Sequence, residues 1–423
     1  MFFKKFDLPT APSFPPLTVD IREFGAVENV ESCESVNNAI KYAAERGGGT
    51  VVVPSGEWIF GAIHLGSNVN LHFAEGANVR FSTSPEDYLP AVYTMYEGIR
   101  CYNYSPLIYG CGLENVAVTG KGVLDGGGPE WWRWAKNLKA RDILYSGELP
   151  LEKRIFATPE YGLRPMFLQI IDSRNVLIEG ITLNNSPCWT VHPVFCQNVI
   201  VRGVTIENPT VSPNTDGVNI ESCKCALVED CTVVTTGDDM YCLKAGRNED
   251  AREVGIPCED VVIRNCRSLG PSTSGGVVIG SEMTSSVRNI LAENCDFADN
   301  VNCVRIKSKD GRGGVVENAE FRNMHMSQGM RGVNISFRYS CEANDAAKEP
   351  GKYMPTVRNI LCENITCDKV KIGISLDGLP GGKMENIHFK NIKMRAETCF
   401  SADSVDGLFT DGVVLEQILS END

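Results

Sequence analysis

Arg174-Asn175-Val176-Leu177-Ile178 returns as Gln197-Asn198-Val199-Ile200-Val201, Glu259-Asp260-Val261-Val262-Ile263, Arg288-Asn289-Ile290-Leu291, Glu317-Asn318-Ala319-Glu320-Phe321, Arg358-Asn359-Ile360-Leu361 and Glu385-Asn386-Ile387-His388-Phe389. With a weaker copy at Cys225-Ala226-Leu227-Val228-Glu229, the spacings are 23, 28, 34, 29, 29, 41 and 27 residues. Such intervals are too short for a strand and a full helix, and they suit short strands joined by turns. One coil of this kind cannot bury its own apolar face, so successive coils must stack in register. The repeat predicts an all-β chain folded as a single parallel β-helix, with the longer intervals marking loops that leave a coil.

Upstream, fainter copies occur at Asn68-Val69-Asn70-Leu71-His72-Phe73 and Asn115-Val116-Ala117-Val118. Before them, Val36, Ala39, Ile40 and Ala43 recur at helical spacing, ahead of Gly47-Gly48-Gly49 and Thr50-Val51-Val52-Val53. This predicts a short amphipathic helix covering the open N-terminal strand edges, which would otherwise invite pairing with other chains. The expected organisation is one domain over residues 1–423, with a cap and first coils over about 1–75 and a C-terminal cap from about 398.

Composition is that of a soluble globular chain, 43% hydrophobic and 22% charged. A net charge of −14 argues against nucleic-acid or anionic-membrane partners. Prolines at 9, 12, 15 and 16 follow the opening lysines, no apolar run is long enough to span a bilayer, and the start is unlike a signal peptide. The 17 cysteines form no CxxC pair. They indicate neither a zinc ribbon nor a disulfide framework, and a reduced, cytoplasmic setting is the expectation. Cys231, Cys266 and Cys295 share a repeat position and should stack inside the helix as small apolar residues.

Against this background stand Asn214-Thr215-Asp216-Gly217 and Gly237-Asp238-Asp239, each closing an apolar stretch. Asp216 and Asp238 are 22 residues apart, about one coil, which should place them on neighbouring coils roughly 5 Å apart. Clustered carboxylates raise at least one another's pKa, giving a protonated acid beside ionised bases. Glycoside hydrolysis needs that pair: an acid for the leaving oxygen and a base for water. Two coils on, Arg305-Ile306-Lys307 points two cations to one face, suited to a sugar carboxylate. Lys244 and Arg247 add to a local positive potential that offsets the overall negative charge. No metal motif accompanies the aspartates, and no cofactor is expected.

Together with Phe24-Gly25-Ala26, Arg164-Pro165, Trp189-Thr190-Val191-His192-Pro193 and Gly280-Ser281-Glu282, these motifs resemble the polygalacturonases of glycoside hydrolase family 28 over nearly the whole chain. The resemblance implies a right-handed β-helix, an inverting mechanism and no metal. By position it implies Asp238 as general acid, Asp216 and Asp239 as the pair that positions and activates water, and Arg305 and Lys307 as holders of the galacturonate carboxylate. Lys244, Asn214, His192 and Ser274 join the substrate-binding candidates, His192 against the alternative of a histidine satisfied within the fold. The run from Lys244 to Asp250 is more similar to the bacterial exo-acting branch. A pectic oligo- or polysaccharide is the implied partner, and an exo-acting galacturonidase the implied activity.

One departure concerns Thr273-Ser274-Gly275-Gly276, where the family carries Gly-His-Gly. Serine keeps a hydrogen bond there but not a charge. Rhamnogalacturonan hydrolases also lack this histidine, so hydrolysis of that backbone is the alternative. A calcium-dependent pectate lyase, recognised by unsaturated products, and a non-catalytic carbohydrate-binding β-helix, recognised by indifference to Asp238→Asn, are the others. Trp131, Trp132 and Trp134 are read either as sugar-stacking residues or as packing of an insertion.

Overall fold

In a computed structural model describing residues 1–340 and 347–419, parallel strands stack into a right-handed β-helix. One ladder runs in register from Val116 through Val176, Val199, Ala226, Val261, Ile290, Ala319, Ile360 and Ile387 to Leu408, so the sequence repeat is the structural repeat. The weaker copy enters this register at Lys224, one residue earlier than it reads in sequence.

The polar residue opening each copy makes the corner. Asn68, Asn115, Asn175, Asn198, Asn289, Asn318, Asn359 and Asn386 all have positive φ. Asparagine tolerates the left-handed region, and its side chain replaces the hydrogen bonds that the turning backbone gives up. The amides form a ladder: Asn115 donates to Asn68 at 2.9 Å, Asn175 to Asn115 at 2.8 Å and Asn198 to Asn175 at 2.9 Å. Asn175→Ala should therefore lose about 2 kcal/mol, combining a left-handed alanine with two broken amide contacts. Asn175→Gly, which keeps the turn, should lose less; equal losses in urea unfolding would refute the backbone part of this account.

The helix Cys33–Glu45 buries Val36, Ala39, Ile40 and Ala43 against the first coils, as their spacing predicts. Both chain ends differ from expectation. Residues before Thr18 do not cap the stack; they run lengthwise along its outside. The Phe3 amide donates to Glu320 at 3.0 Å, Lys4 exchanges backbone bonds with Asn289, Cys225 donates to the Asp7 carbonyl, and Phe14 packs on Ala117, Leu177 and Ile200. From Thr398 the chain continues as a further coil, through Lys393–Asp403, Asp406–Asp411 and Val414–Gln417, because the repeat's apolar alternation persists there. Cys231, Cys266 and Cys295 are buried as a stack within the core.

Two excursions build the site's surroundings. The antiparallel hairpin Val92–Tyr96 and Ile99–Asn103 turns at Glu97-Gly98. The insertion after Gly126 carries the helices Gly128–Trp132 and Lys139–Ser146. A second apolar core joins them, with Tyr96, Ile99, Leu144, Tyr145, Leu163 and Trp189 among its buried members. Trp131 and Trp134 pack with each other and with Tyr104, and Trp132 donates to the Ser186 carbonyl at 2.8 Å. These tryptophans hold the insertion to the coil.

Candidate active site

Asp216 precedes the strand Val218–Glu221, and Asp239 precedes Tyr241–Lys244, two strands paired Val218 to Tyr241. The Gly217 amide donates to the Asp239 carbonyl at 2.9 Å, so Asp216 lies alongside Asp239. Counting residues to Asp238 is off by one, because pairing follows the strands that come after the motifs. Both motif glycines are sites of close approach: a Cβ on Gly237 would lie 1.7 Å from the Ser212 carbonyl oxygen, and one on Gly217 2.5 Å from that of Met240. No other residue lets these coils close.

Asp216, Asp238, Asp239, Asn214, Lys244 and Lys307 line one pocket, whose remaining walls are Glu97, Arg141, Trp189, Arg247, Glu282 and Tyr339. Asp216 and Asp239 are buried, and each meets its own ammonium group. Lys244 Nζ is 3.3 Å from Asp216 Oδ2, and Lys307 Nζ donates to Asp239 Oδ2 at 2.7 Å. Burial works against ionisation of all three carboxyls, but the balance differs. Asp239 stays below the usual carboxylate range because Lys307, Lys244 and Arg305 outweigh its burial. Burial and then the charge of Asp239 raise Asp238. Burial and the charge of Asp238 raise Asp216, with Lys244 opposing. The cluster thus shares a proton, and a proton on Asp238 removes the repulsion that raises Asp216, leaving two lysine–aspartate pairs.

Ser274 stands at the centre of the departure noted above. It is buried, its hydroxyl donates to Asp239 Oδ1, and it accepts from Arg305 Nη1 at 3.2 Å. Serine bridges Asp239 and Arg305. Arg305 itself lies on the adjoining groove, half exposed beside the Tyr339 ring. Asn214 turns its Oδ1 toward Arg141 and Arg164, at 3.2 and 2.8 Å, which fixes the loop before Asp216.

Two expectations need correction. His192 is fully buried between Gln169 and Glu221, at 2.8 and 2.7 Å, and lies against Trp189. Its strand alternation aims it at the cleft, but the Trp189 ring covers it, so it supports the site without reaching a substrate. Lys244 and Arg247 do not supply free positive potential: Glu282 accepts from both at 3.0 Å, and Glu97 lies 4.0 Å from Arg247. Glu282, Trp189, Glu97, Arg141 and Tyr339 were not singled out as site residues. Glu282 and Trp189 lie within quoted motifs; Glu97 and Arg141 sit on excursions with no repeat to align them.

One end of the pocket is walled. Glu97 at the hairpin tip bonds Arg141 and Tyr145, both from the helix Lys139–Ser146. The Gly98 carbonyl accepts from the Arg247 amide at 2.9 Å, and Asp250 clamps Arg100 and Arg154 at 3.1 and 2.5 Å. The opposite end opens toward Arg305.

Asp216, Asp239 and Cys242 present ligand atoms within 4.8 Å of one another. The residues do not fit a divalent cation, since both carboxylates already face lysine ammonium groups and the third donor is a thiol. Calcium takes an oxygen-rich shell, so calcium-assisted elimination has no support here.

A parallel β-helix presenting three clustered aspartates, two of them raised and one held ionised, in a polar pocket defines a carboxylate-dependent glycoside hydrolase. The model of glycosyl hydrolases family 28 matches residues 152–407. A probable polygalacturonase of Vitis vinifera is 30% identical over 365 residues, covering 85% of this chain and 69% of its own. The chain belongs to glycosyl hydrolases family 28. It spans 57% of a probable polygalacturonase of Arabidopsis thaliana and 54% of a polygalacturonase of Juniperus ashei. Among solved structures, a hyperthermoactive exopolygalacturonase from Thermotoga maritima superposes with a TM-score of 0.88 at 34% identity, covering 96% of this chain and 94% of that one. A family 28 exopolygalacturonase of Yersinia enterocolitica shares the fold, with a TM-score of 0.77 at 21% identity over 96% of this chain and 78% of its own.

Proposed function

We propose that the protein is an exo-acting hydrolase releasing galacturonate from the end of pectic oligosaccharides with inversion. The observation that carries this reading is the pocket: a carboxylate cluster met by two lysines, shut at one end by the Glu97–Arg141–Tyr145 wall. A chain end fits such a site, whereas an internal segment needs a groove open at both ends. The 34% identical exopolygalacturonase supports the same reading.

In this mechanism Asp238, with its raised pKa, protonates the leaving glycosidic oxygen. Asp239, held ionised by Lys307, takes a proton from water, and Asp216 orients that water from the neighbouring coil. Ser274 keeps Asp239 and Arg305 in place, at the position where the resemblance puts the family's histidine. A reducing compartment belongs to the same proposal, supported by the buried free cysteines of the core.

The test is product analysis on oligogalacturonides and, separately, rhamnogalacturonan fragments. Saturated galacturonate monomer, first appearing as the inverted anomer by NMR, is the expected product. Internal fragments would refute the exo reading, unsaturated ends the hydrolytic one, and turnover of rhamnogalacturonan alone the substrate. The pKa directions also predict a bell-shaped kcat/KM. Its acid limb should lie below the ordinary carboxylate range, from Asp239, and its alkaline limb above it, from Asp238. An alkaline limb untouched by Asp238→Glu would contradict the assignment.

A further inference from the structure

Beyond the acidic pocket the cleft continues as an open groove bordered by Arg305, Arg331, Asn334, Arg338, Tyr339 and Asp377. Arg331 pairs in register with Asn302, and Asn302 with Gly275. It therefore stands one coil past the Arg305 and Lys307 coil, roughly 5 Å further along the stack.

The charges around it are unevenly met. Arg338 pairs with Asp403 at 2.5 Å, and Asp377 accepts from Asn334 at 3.3 Å. Arg331 has no carboxylate partner among the described residues. Arg305 donates to the neutral Ser274, and its Nε is buried without a partner. In a chain of net charge −14, two arginines on one groove that make no ion pair among the described residues mark a place for anions.

With one uronate carboxylate at Arg305, as the family resemblance implies, we propose that Arg331 holds the carboxylate of the next unit of the chain, the one farther from the closed end of the pocket. This deepens the oligogalacturonide reading and rests on it. Cations on consecutive coils suit contiguous uronates, whereas a chain alternating uronate with neutral sugar would leave one arginine without its anion. With a terminal unit in the closed pocket and the next over Arg305, the third unit reaches Arg331.

Steady-state kinetics on di- and trigalacturonate with Arg331→Gln and Arg331→Lys test the assignment. Arg331→Gln should raise KM for the trimer on the order of tenfold more than for the dimer, as for loss of a charged hydrogen bond, with kcat for the trimer held. Arg331→Lys should recover part of the difference. Equal changes on both substrates, or no change on either, would overturn the assignment. Wild-type protein that releases nothing from either substrate would instead overturn the oligogalacturonide reading, and this assignment with it.

Discussion

Asp238→Asn protein should turn over oligogalacturonide about 10²- to 10⁴-fold more slowly than wild type while binding it with similar affinity. Asparagine matches the carboxyl in shape and still accepts from the Asp239 amide, which donates to Asp238 Oδ1 at 2.9 Å. It cannot release a proton. The change also removes the charge that raises Asp216, so the variant should be at least as stable as wild type at neutral pH. Loss of turnover with retained binding and an unshifted urea midpoint identifies the acid. Near-normal turnover would exclude Asp238 from that role, and absence of turnover in wild type and variant alike would favour a non-catalytic binder.

The second large effect concerns the Asp239–Lys307 pair. Lys307→Met leaves Asp239 buried against Ser274 without its closest ammonium group. Breaking one side of a buried ion pair costs about 3–5 kcal/mol, and activity should fall with it because the base is no longer held ionised. The pH dependence fixes the cause. In wild type, Asp239 has a depressed folded pKa, so its contribution is present above the unfolded value of 3.8 and is lost as pH falls through the folded one. Without Lys307 only Lys244 and Arg305 oppose the burial of Asp239, and the expected outcome is that burial wins: the folded pKa moves above the unfolded value, and the group then opposes folding wherever the unfolded chain is ionised. The stability deficit of Lys307→Met should therefore be large at pH 7 and shrink toward pH 4. A deficit of equal size at both values would point to lost side-chain packing instead.

Ser274 bears on both predictions. A serine at this position can be read in sequence as the mark of a changed substrate or of lost activity. In three dimensions its hydroxyl donates to Asp239 and accepts from Arg305, so the two groups are tied together without an imidazole. What it does not supply is a titratable group, and the pH limits of activity then rest on the aspartates.

The repeat by itself determined the β-helix, since an asparagine that tolerates a left-handed corner followed by alternating apolar residues admits little besides stacked coils. The same local grammar exposed Asp216, Asp238, Asp239, Arg305 and Lys307, because charged residues interrupting that alternation stand out. Tertiary structure decided what depends on contacts between distant segments. Asp216 faces Asp239 because the following strands set the register. His192 lies under Trp189 although its strand position points it outward. The closing wall is made by Glu97 and Arg141, two residues on excursions that no repeat aligns, meeting 44 positions apart in the chain. Periodicity records which face a residue takes within a coil; it carries no record of which loop folds over that face.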